Sequence, residues 1–186
     1  MRIINSCLGR NASRRMRTLR RFGRNERGAT AVEFALVALP FFGLMFAIVE
    51  IGITFFAGQT LETALHMSAR LIRTGIAQEQ SFDAVAFKQS ICDRVGVLFD
   101  CGKLKLDVRT IETFDSSNPP LPLDGDGNLT DANFIYDPGS GGDIVLVRAF
   151  YEWPTFTRIY LNLANTGNGH FLMSSTAAFK NEPFPW

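Results

Sequence analysis

The amino-acid sequence predicts an α+β protein in which an N-terminal transmembrane helix continues as an amphipathic helix. This helix is expected to pack with a second helix on an antiparallel sheet of about three strands. Three observations support this fold: one long apolar run near the N-terminus, two segments with apolar residues at helical spacing, and three later strand-like segments. Because the helical patterns precede the strand patterns rather than alternate with them, they indicate an α+β domain.

The N-terminal region combines a basic leader with a membrane-length apolar run. Residues 1–28 hold nine arginines and a single acid, whereas the remaining chain holds 10 Lys and Arg against 17 Asp and Glu. Residues 34–57, as a helix, reach about 36 Å, enough to cross a hydrocarbon core of about 30 Å. The arginines place their end of this helix in the cytoplasm. We therefore expect a cytoplasmic leader at 1–28, a transmembrane helix at 29–57 and an exported domain at 58–186.

Two other interpretations of this region fit less well. A cleaved secretory signal has an apolar region of about 7–15 residues ending at a small-x-small site, but this run is longer and Phe55 occupies the first small position. A nucleic-acid-binding arm is also unsupported, because orientation and lipid headgroups account for arginines beside a span. We therefore expect membrane lipid, and no nucleic acid, as a partner of this segment.

Two residues within the apolar run are unusual. Pro40 removes a backbone hydrogen bond and is expected to kink the helix. Glu50 is the only ionisable residue from Phe34 to Ala57. It could face a partner helix or a pore-side polar group, or lie close to the periplasmic interface. We favour the interface because charged residues near span ends can reach water.

The exported part begins with two predicted helices. The transmembrane helix is expected to continue with one apolar face formed by Leu61, Leu65, Ala69, Ile72 and Ile76. A second helix is predicted to start at Ser81 as N-cap, with Asp83 in its first turn. Its apolar stripe consists of Ala84, Phe87, Ile91, Val95 and Leu98.

Three strands are predicted after the helices. Residues 103–109 alternate, so that Leu104, Leu106 and Val108 face inward. Residues 144–153 are almost continuously apolar, which indicates a strand covered on both faces, and residues 170–180 are the third candidate. Residues 115–143 form a long loop rich in Pro, Gly, Asp and Asn.

The cysteines predict a disulfide. Cys92 and Cys101 lie in the part expected to be exported, whereas Cys7 lies in the leader. In an oxidising compartment the first two are expected to pair, closing a short loop worth about 2–3 kcal/mol. The alternative is two buried free thiols, which intact-mass analysis with and without reductant would distinguish.

The sequence gives little support for a metal, a cofactor or catalysis. Asp124, Asp126 and Asn128 alternate like the start of a calcium loop. The sixth and twelfth positions are Leu129 and Ile135, so a plain turn-rich loop is favoured over calcium binding. The two histidines are isolated and no nucleophile, phosphate-loop or dinucleotide motif occurs. We expect no cofactor and no enzymatic activity.

The junction between leader and apolar run matches a processing pattern. A basic leader ends at Gly28, small or apolar residues follow from Ala29, and Glu33 stands at the head of the membrane helix. Cleavage after Gly28 would make Glu33 the fifth residue of the new chain, where it could pair with the free α-amine of a neighbouring subunit. The alternative is a glutamate that reaches water at the start of the helix.

These residues resemble the TadE-like family, pseudopilins of the tight-adherence (Flp, type IVc) pilus system. The resemblance rests on Arg27 to Val37 with Pro40-Phe41-Phe42, and on the C-terminal run Phe179 to Phe184. It implies a pilin-like fold and a location in the bacterial inner membrane, with the C-terminal domain in the periplasm. Major Flp pilins usually carry Tyr after this glutamate, so Phe34 favours a minor pseudopilin.

The resemblance also implies partners. They are a prepilin peptidase, other pilin-like and pseudopilin subunits, and the inner-membrane pilus assembly platform. The alternative function is an uncleaved, membrane-anchored periplasmic binding or sensor module. The N-terminal residue of the native protein distinguishes the two, because Ala29 supports processing and Met1 supports the uncleaved module.

Overall fold

A computed structural model describes residues 26–117, 119–156 and 162–184. Residues 1–25 of the predicted leader lie outside the described residues. The chain divides into two compact units, residues 1–46 and residues 47–186. The long helix α1, Glu26–Arg73, begins in the first unit and ends in the second.

Within the first unit, α1 is an apolar helix with exposed side chains. Pro40 lies inside the helix. The large hydrophobic residues from Val32 to Phe46 are exposed to differing degrees on the surface of the helix. Among the described residues, α1 is the one helix long and apolar enough to cross a membrane. An apolar surface on all sides of a helix is typical of a segment that lies in lipid or among other apolar helices.

Within the second unit, α1 becomes amphipathic, as predicted. Its buried face includes Ala57, Leu61, Leu65, Ala69 and Ile72, and burying each of the larger side chains contributes about 1.5–3 kcal/mol.

The prediction that Ile76 continues this face is wrong, because Ile76 is 37% exposed. Gly75 has a φ of 81°, a left-handed conformation that ends α1 before the four-residue helix α2, Ile76–Glu79.

The helix α3, Ala84–Val95, is the predicted second helix with a corrected start. Its N-cap is Asp83, whose carboxylate accepts a hydrogen bond from the backbone N–H of Ala86 at 2.7 Å. The predicted cap, Ser81, lies two residues earlier and has a φ of 52°, whereas Asp83 has the extended backbone that N-caps adopt.

The predicted apolar stripe of α3 is only partly buried. Phe87, Ile91 and Val95 are buried in the core, whereas Ala84 is exposed and Leu98 is 37% exposed. Leu98 lies beyond α3, in a 3₁₀ turn spanning Gly96–Leu98. The helical stripe therefore ends with the helix, at Val95.

The predicted three-stranded antiparallel sheet is confirmed. Its strands are β1, Lys105–Ile111, β2, Ile144–Trp153, and β3, Phe171–Lys180, in the order β1-β2-β3. Both pairs are antiparallel. Leu104 and Val108 are buried as predicted, and Leu106 is half-buried against the core.

The central strand β2 is covered on both faces, as its apolar run predicted. Val145, Val147 and Ala149 belong to the core cluster shared with α1 and α3. On the opposite face the 115–143 loop covers the strand, since the ring of Phe134 stacks on Phe150 at 5.5 Å.

A buried ion pair fastens the same loop to the sheet. Asp107 is fully buried and accepts hydrogen bonds from the guanidinium groups of Arg148 and Arg109 and from the backbone N–H of Ile135. Arg148 also donates to the carbonyl of Pro120. Burial opposes the charge on Asp107, but the two guanidinium groups outweigh it and lower the pKa of this carboxyl below its usual value.

Candidate assembly site on the N-terminal helix

Gly28 lies in the first turn of α1, where the described structure gives no steric reason for a glycine. No heavy atom outside the adjoining backbone comes within 4 Å of the place where a Cβ would sit. Glycine in a helix is less favourable than alanine by about 1 kcal/mol. The described fold would therefore accommodate a larger residue at this position.

Glu33 and Phe34 lie one turn further along the same helix. Both side chains are exposed, Phe34 by 71%. Among the residues that the structure describes, Glu33 takes part in no hydrogen bond and no ion pair. Its carboxylate is therefore available to a group beyond the described residues.

Glu50 is placed differently from the interfacial position favoured by the sequence. Its side chain is only 7% exposed, and its Oε1 accepts a hydrogen bond from the backbone N–H of Phe156 at 2.6 Å. Phe156 lies in the loop that follows β2, 106 residues away in sequence. The carboxylate thus binds the protein's own backbone instead of reaching water.

Cys92 and Cys101 are joined by a disulfide, with their Cα atoms 5.9 Å apart. The bond links α3 to the segment that leads into β1. Between the two cysteines, Phe99 packs against Tyr151 and Trp153, with ring centroids 4.8 and 5.7 Å apart. The cross-link therefore holds a short loop whose one buried aromatic residue contributes to the core.

In the 115–143 loop, the carboxylate of Asp124 has a structural role. Its Oδ1 accepts hydrogen bonds from the backbone N–H groups of Asp126 and Asn128, at 3.0 and 2.7 Å. This arrangement stabilises a turn. Within the described ranges, no group of three or more His, Cys, Asp or Glu residues is placed to hold a metal ion.

The C-terminal run of the resemblance contacts the end of α1. The backbone N–H of Glu182 donates to the carbonyl of Arg73 at 2.9 Å, and the two side chains form an exposed ion pair. A Cβ on Gly75 would lie 2.7 Å from the ring of Phe184. The residues from Glu182 to Phe184 therefore pack closely where α1 ends, a contact that the sequence did not reveal.

Comparison with known proteins gives one match. Residues 28–70 match the family model described as TadE-like protein, a family without known catalytic activity. No curated protein and no solved structure matches the chain. The matched segment begins at Gly28, includes Glu33 and Glu50, and ends three residues before the end of α1. Residues 28–70 of this chain are a TadE-like domain.

Proposed function

We propose that the protein is a minor pseudopilin that acts in the assembly of a Tad (Flp, type IVc) pilus after a prepilin peptidase has cleaved it behind Gly28. One observation carries the proposal. The TadE-like match begins at Gly28, and five residues later Glu33, on an exposed apolar helix, has no partner among the described residues.

Gly28 supports the cleavage step. A helix normally disfavours glycine by about 1 kcal/mol relative to alanine, and no described neighbour crowds the position. A peptidase provides the missing reason, because a residue without a side chain enters a narrow active-site cleft without a clash. The arginines of residues 1–28 hold the site at the cytoplasmic side of the membrane.

Glu33 supports the assembly step. A carboxylate costs about 2.5–3.5 kcal/mol at the centre of a membrane helix, and less near the interface, unless it finds a partner. Cleavage behind Gly28 creates a positively charged α-amine on Ala29 of every copy. An amine from an adjacent subunit could neutralise Glu33 and fix the axial register of the two helices. Its partners are therefore other pilin-like subunits held at the inner-membrane assembly platform.

The disulfide supports the orientation. Disulfides persist in the periplasm and are reduced in the cytoplasm, so the Cys92–Cys101 bond supports a periplasmic location for the second unit. The basic leader independently predicts a cytoplasmic N-terminus.

The decisive measurement is the N-terminal residue of the native membrane form. We expect Ala29, whereas Met1 would favour the uncleaved binding or sensor module. Gly28→Leu should leave the leader attached and abolish piliation. Gly52→Leu is the matched control, because Gly52 is also a helical glycine with no described atom within 4 Å of its Cβ position. Efficient cleavage of the Gly28→Leu protein would contradict the proposed site.

A second pair of variants tests the pairing of Glu33. Glu33→Gln should be cleaved normally yet assemble fewer pili, because an amide cannot form the ion pair. Glu62→Gln is the control, because Glu62 is an exposed glutamate further along α1. This variant should assemble a normal number of pili. Normal pilus numbers in the cleaved Glu33→Gln strain would contradict the assembly role.

A further inference from the structure

The loop after β2 presents an exposed aromatic side chain next to the membrane helix. Phe156 is 80% exposed, although its own backbone N–H is held by the buried carboxylate of Glu50. The hydrogen bond fixes the start of this loop against α1 at a residue within the predicted span. The exposed side chain of Phe156 is thus fixed beside α1 at the position of Glu50.

Further apolar side chains lie on the same stretch of α1 and in the same loop. Ile51 and Phe55 are exposed on α1 by 46% and 71%. A groove of about 390 Å³ lies beside them, lined also by Leu163 and Phe171. We name Ile51, Phe55, Phe156 and Leu163 the apolar corner.

The length of the helix places this corner at the membrane boundary. About 20 helical residues cross the hydrocarbon core, so a crossing that starts between Ala29 and Glu33 ends between Ile48 and Gly52. Phe55 then lies about 5–10 Å beyond it, since each residue adds about 1.5 Å. The headgroup layer on each side is about 5–7.5 Å thick, because a bilayer of about 40–45 Å encloses a core of about 30 Å. Ile51 therefore lies within reach of this layer and Phe55 near its outer edge.

From these observations we infer that the apolar corner rests in the headgroup layer of the outer leaflet and attaches the second unit to the lipid surface. The hydrocarbon crossing therefore ends near Glu50, earlier than the boundary at Ala57 that the sequence predicted. The inference does not depend on cleavage behind Gly28, because an uncleaved anchored protein would present the same corner.

Lipid fits the corner better than a protein partner does. The corner continues the exposed apolar surface of α1, and the sequence from Phe34 to Leu61 offers Glu50 as its only ionisable residue. Glu50 is only 7% exposed and accepts the Phe156 N–H, so its carboxylate is turned away from the surface that the corner would present to lipid. Exposed aromatic and aliphatic side chains next to a span partition into the headgroup and acyl boundary.

Spin labelling at two positions tests the inference on the full chain. The background is Cys7→Ser, which leaves the Cys92–Cys101 bond intact. A nitroxide is attached to Phe156→Cys or to Phe114→Cys, and the protein is reconstituted in vesicles of phosphatidylethanolamine and phosphatidylglycerol. Phe114 is the matched control, because it is also an exposed phenylalanine but follows β1 at the opposite end of the sheet.

The readout is the collision rate of each label with oxygen, which dissolves in lipid, and with a water-soluble nickel chelate. We expect the ratio of oxygen to nickel collisions to be several-fold higher at position 156 than at position 114. Equal ratios would place the corner in water and overturn the inference. Shielding of position 156 from both reagents would mean that a protein covers it, which would also overturn the inference.

A change at Glu50 tests the role of the hydrogen bond. Glu50→Gln keeps an oxygen that accepts the Phe156 N–H and should preserve the ratio at position 156. Glu50→Leu removes the acceptor, and it should lower the ratio and increase the mobility of the label. An unchanged ratio in Glu50→Leu would show that Glu50 does not position the loop on the lipid surface.

Discussion

Replacing Asp107 with asparagine tests how strongly a buried ion pair stabilises the second unit. The change preserves the size of the side chain but removes its charge and turns one acceptor oxygen into a donor. Asp107 is fully buried, and its oxygens accept from Arg148 at 2.7 and 3.1 Å and from Arg109 at 2.6 Å. In the variant, an amide N–H₂ group would face guanidinium N–H groups that have lost their acceptor.

The expected loss is large because Arg148 remains buried. Its side chain is 8% exposed, and its other contacts are with the carbonyl of Pro120 and the ring of Phe150. Breaking a buried pair by removing one partner costs about 3–5 kcal/mol, a large share of the 5–15 kcal/mol typical of a folded domain. For a unit of this size, that corresponds to a fall in melting temperature of about 10–20 °C.

The assay is urea unfolding of the full chain in detergent, followed by tryptophan fluorescence. Asp131→Asn is the matched control, because Asp131 pairs with Lys105 while both side chains are 40–51% exposed. Such surface pairs contribute at most about 1 kcal/mol. Equal losses in the two variants would refute the reasoning. If Asp107→Asn does not fold, Arg109→Gln provides a milder change, since Arg148 still pairs with Asp107.

Three further predictions concern the second unit. Folding lowers the pKa of Asp107, so the ionised carboxylate stabilises the fold above the usual aspartate pKa of about 4, and this stabilisation is lost as the pH falls below that value. On acidification, the urea midpoint should therefore drop more in wild type than in Asp107→Asn. Replacing Cys92 and Cys101 with serine should lower the free energy of unfolding by about 2–3 kcal/mol. Added reductant should lower the urea midpoint of wild type but leave that of the variant unchanged. Gly75→Ala should lower the melting temperature, because φ is 81° and Phe184 crowds the Cβ position; Gly52→Ala, at an open helical position, should leave it unchanged or raise it.

Local patterns predicted most of the secondary structure. The apolar run of β2 predicted both ends of the strand, because burial on both faces leaves few polar positions inside it. The face of α1 from Leu61 to Ile72 was predictable for a similar reason, since every third or fourth residue points at the same core. In both cases, the residues that carry the signal are neighbours in sequence.

The errors occur where two local signals compete. Ser81 and Asp83 can both cap a helix, and only the backbone angles of the folded chain favour Asp83. Ile76 continues the spacing of α1, but Gly75 adopts a left-handed conformation and interrupts the helix. Spacing alone did not reveal which signal would prevail.

Long-range polar contacts were not predictable from the pattern. The alternation of β1 identified Leu104 and Val108 as inward-facing, but it gave no sign that Asp107 is buried on the other face under the 115–143 loop. A covering loop without regular structure leaves no periodic trace in the sequence. The same limit explains why the contact between Phe184 and Gly75 was missed.

Two glutamates, one at the head of the apolar run and one inside it, show what the folded structure adds to the assignment of a site. By sequence, each was an acid beside or within a membrane-length helix that needs a partner or contact with water, and Glu50 was expected to reach the interface. Folding distinguishes them, because the loop after β2 supplies a backbone N–H to Glu50 and no described residue supplies one to Glu33. A carboxylate already satisfied within its own chain has little to gain from a second subunit. A carboxylate without a partner among the described residues has more to gain on assembly, which is why subunit pairing is proposed for Glu33 and not for Glu50, whose carboxylate holds the loop after β2.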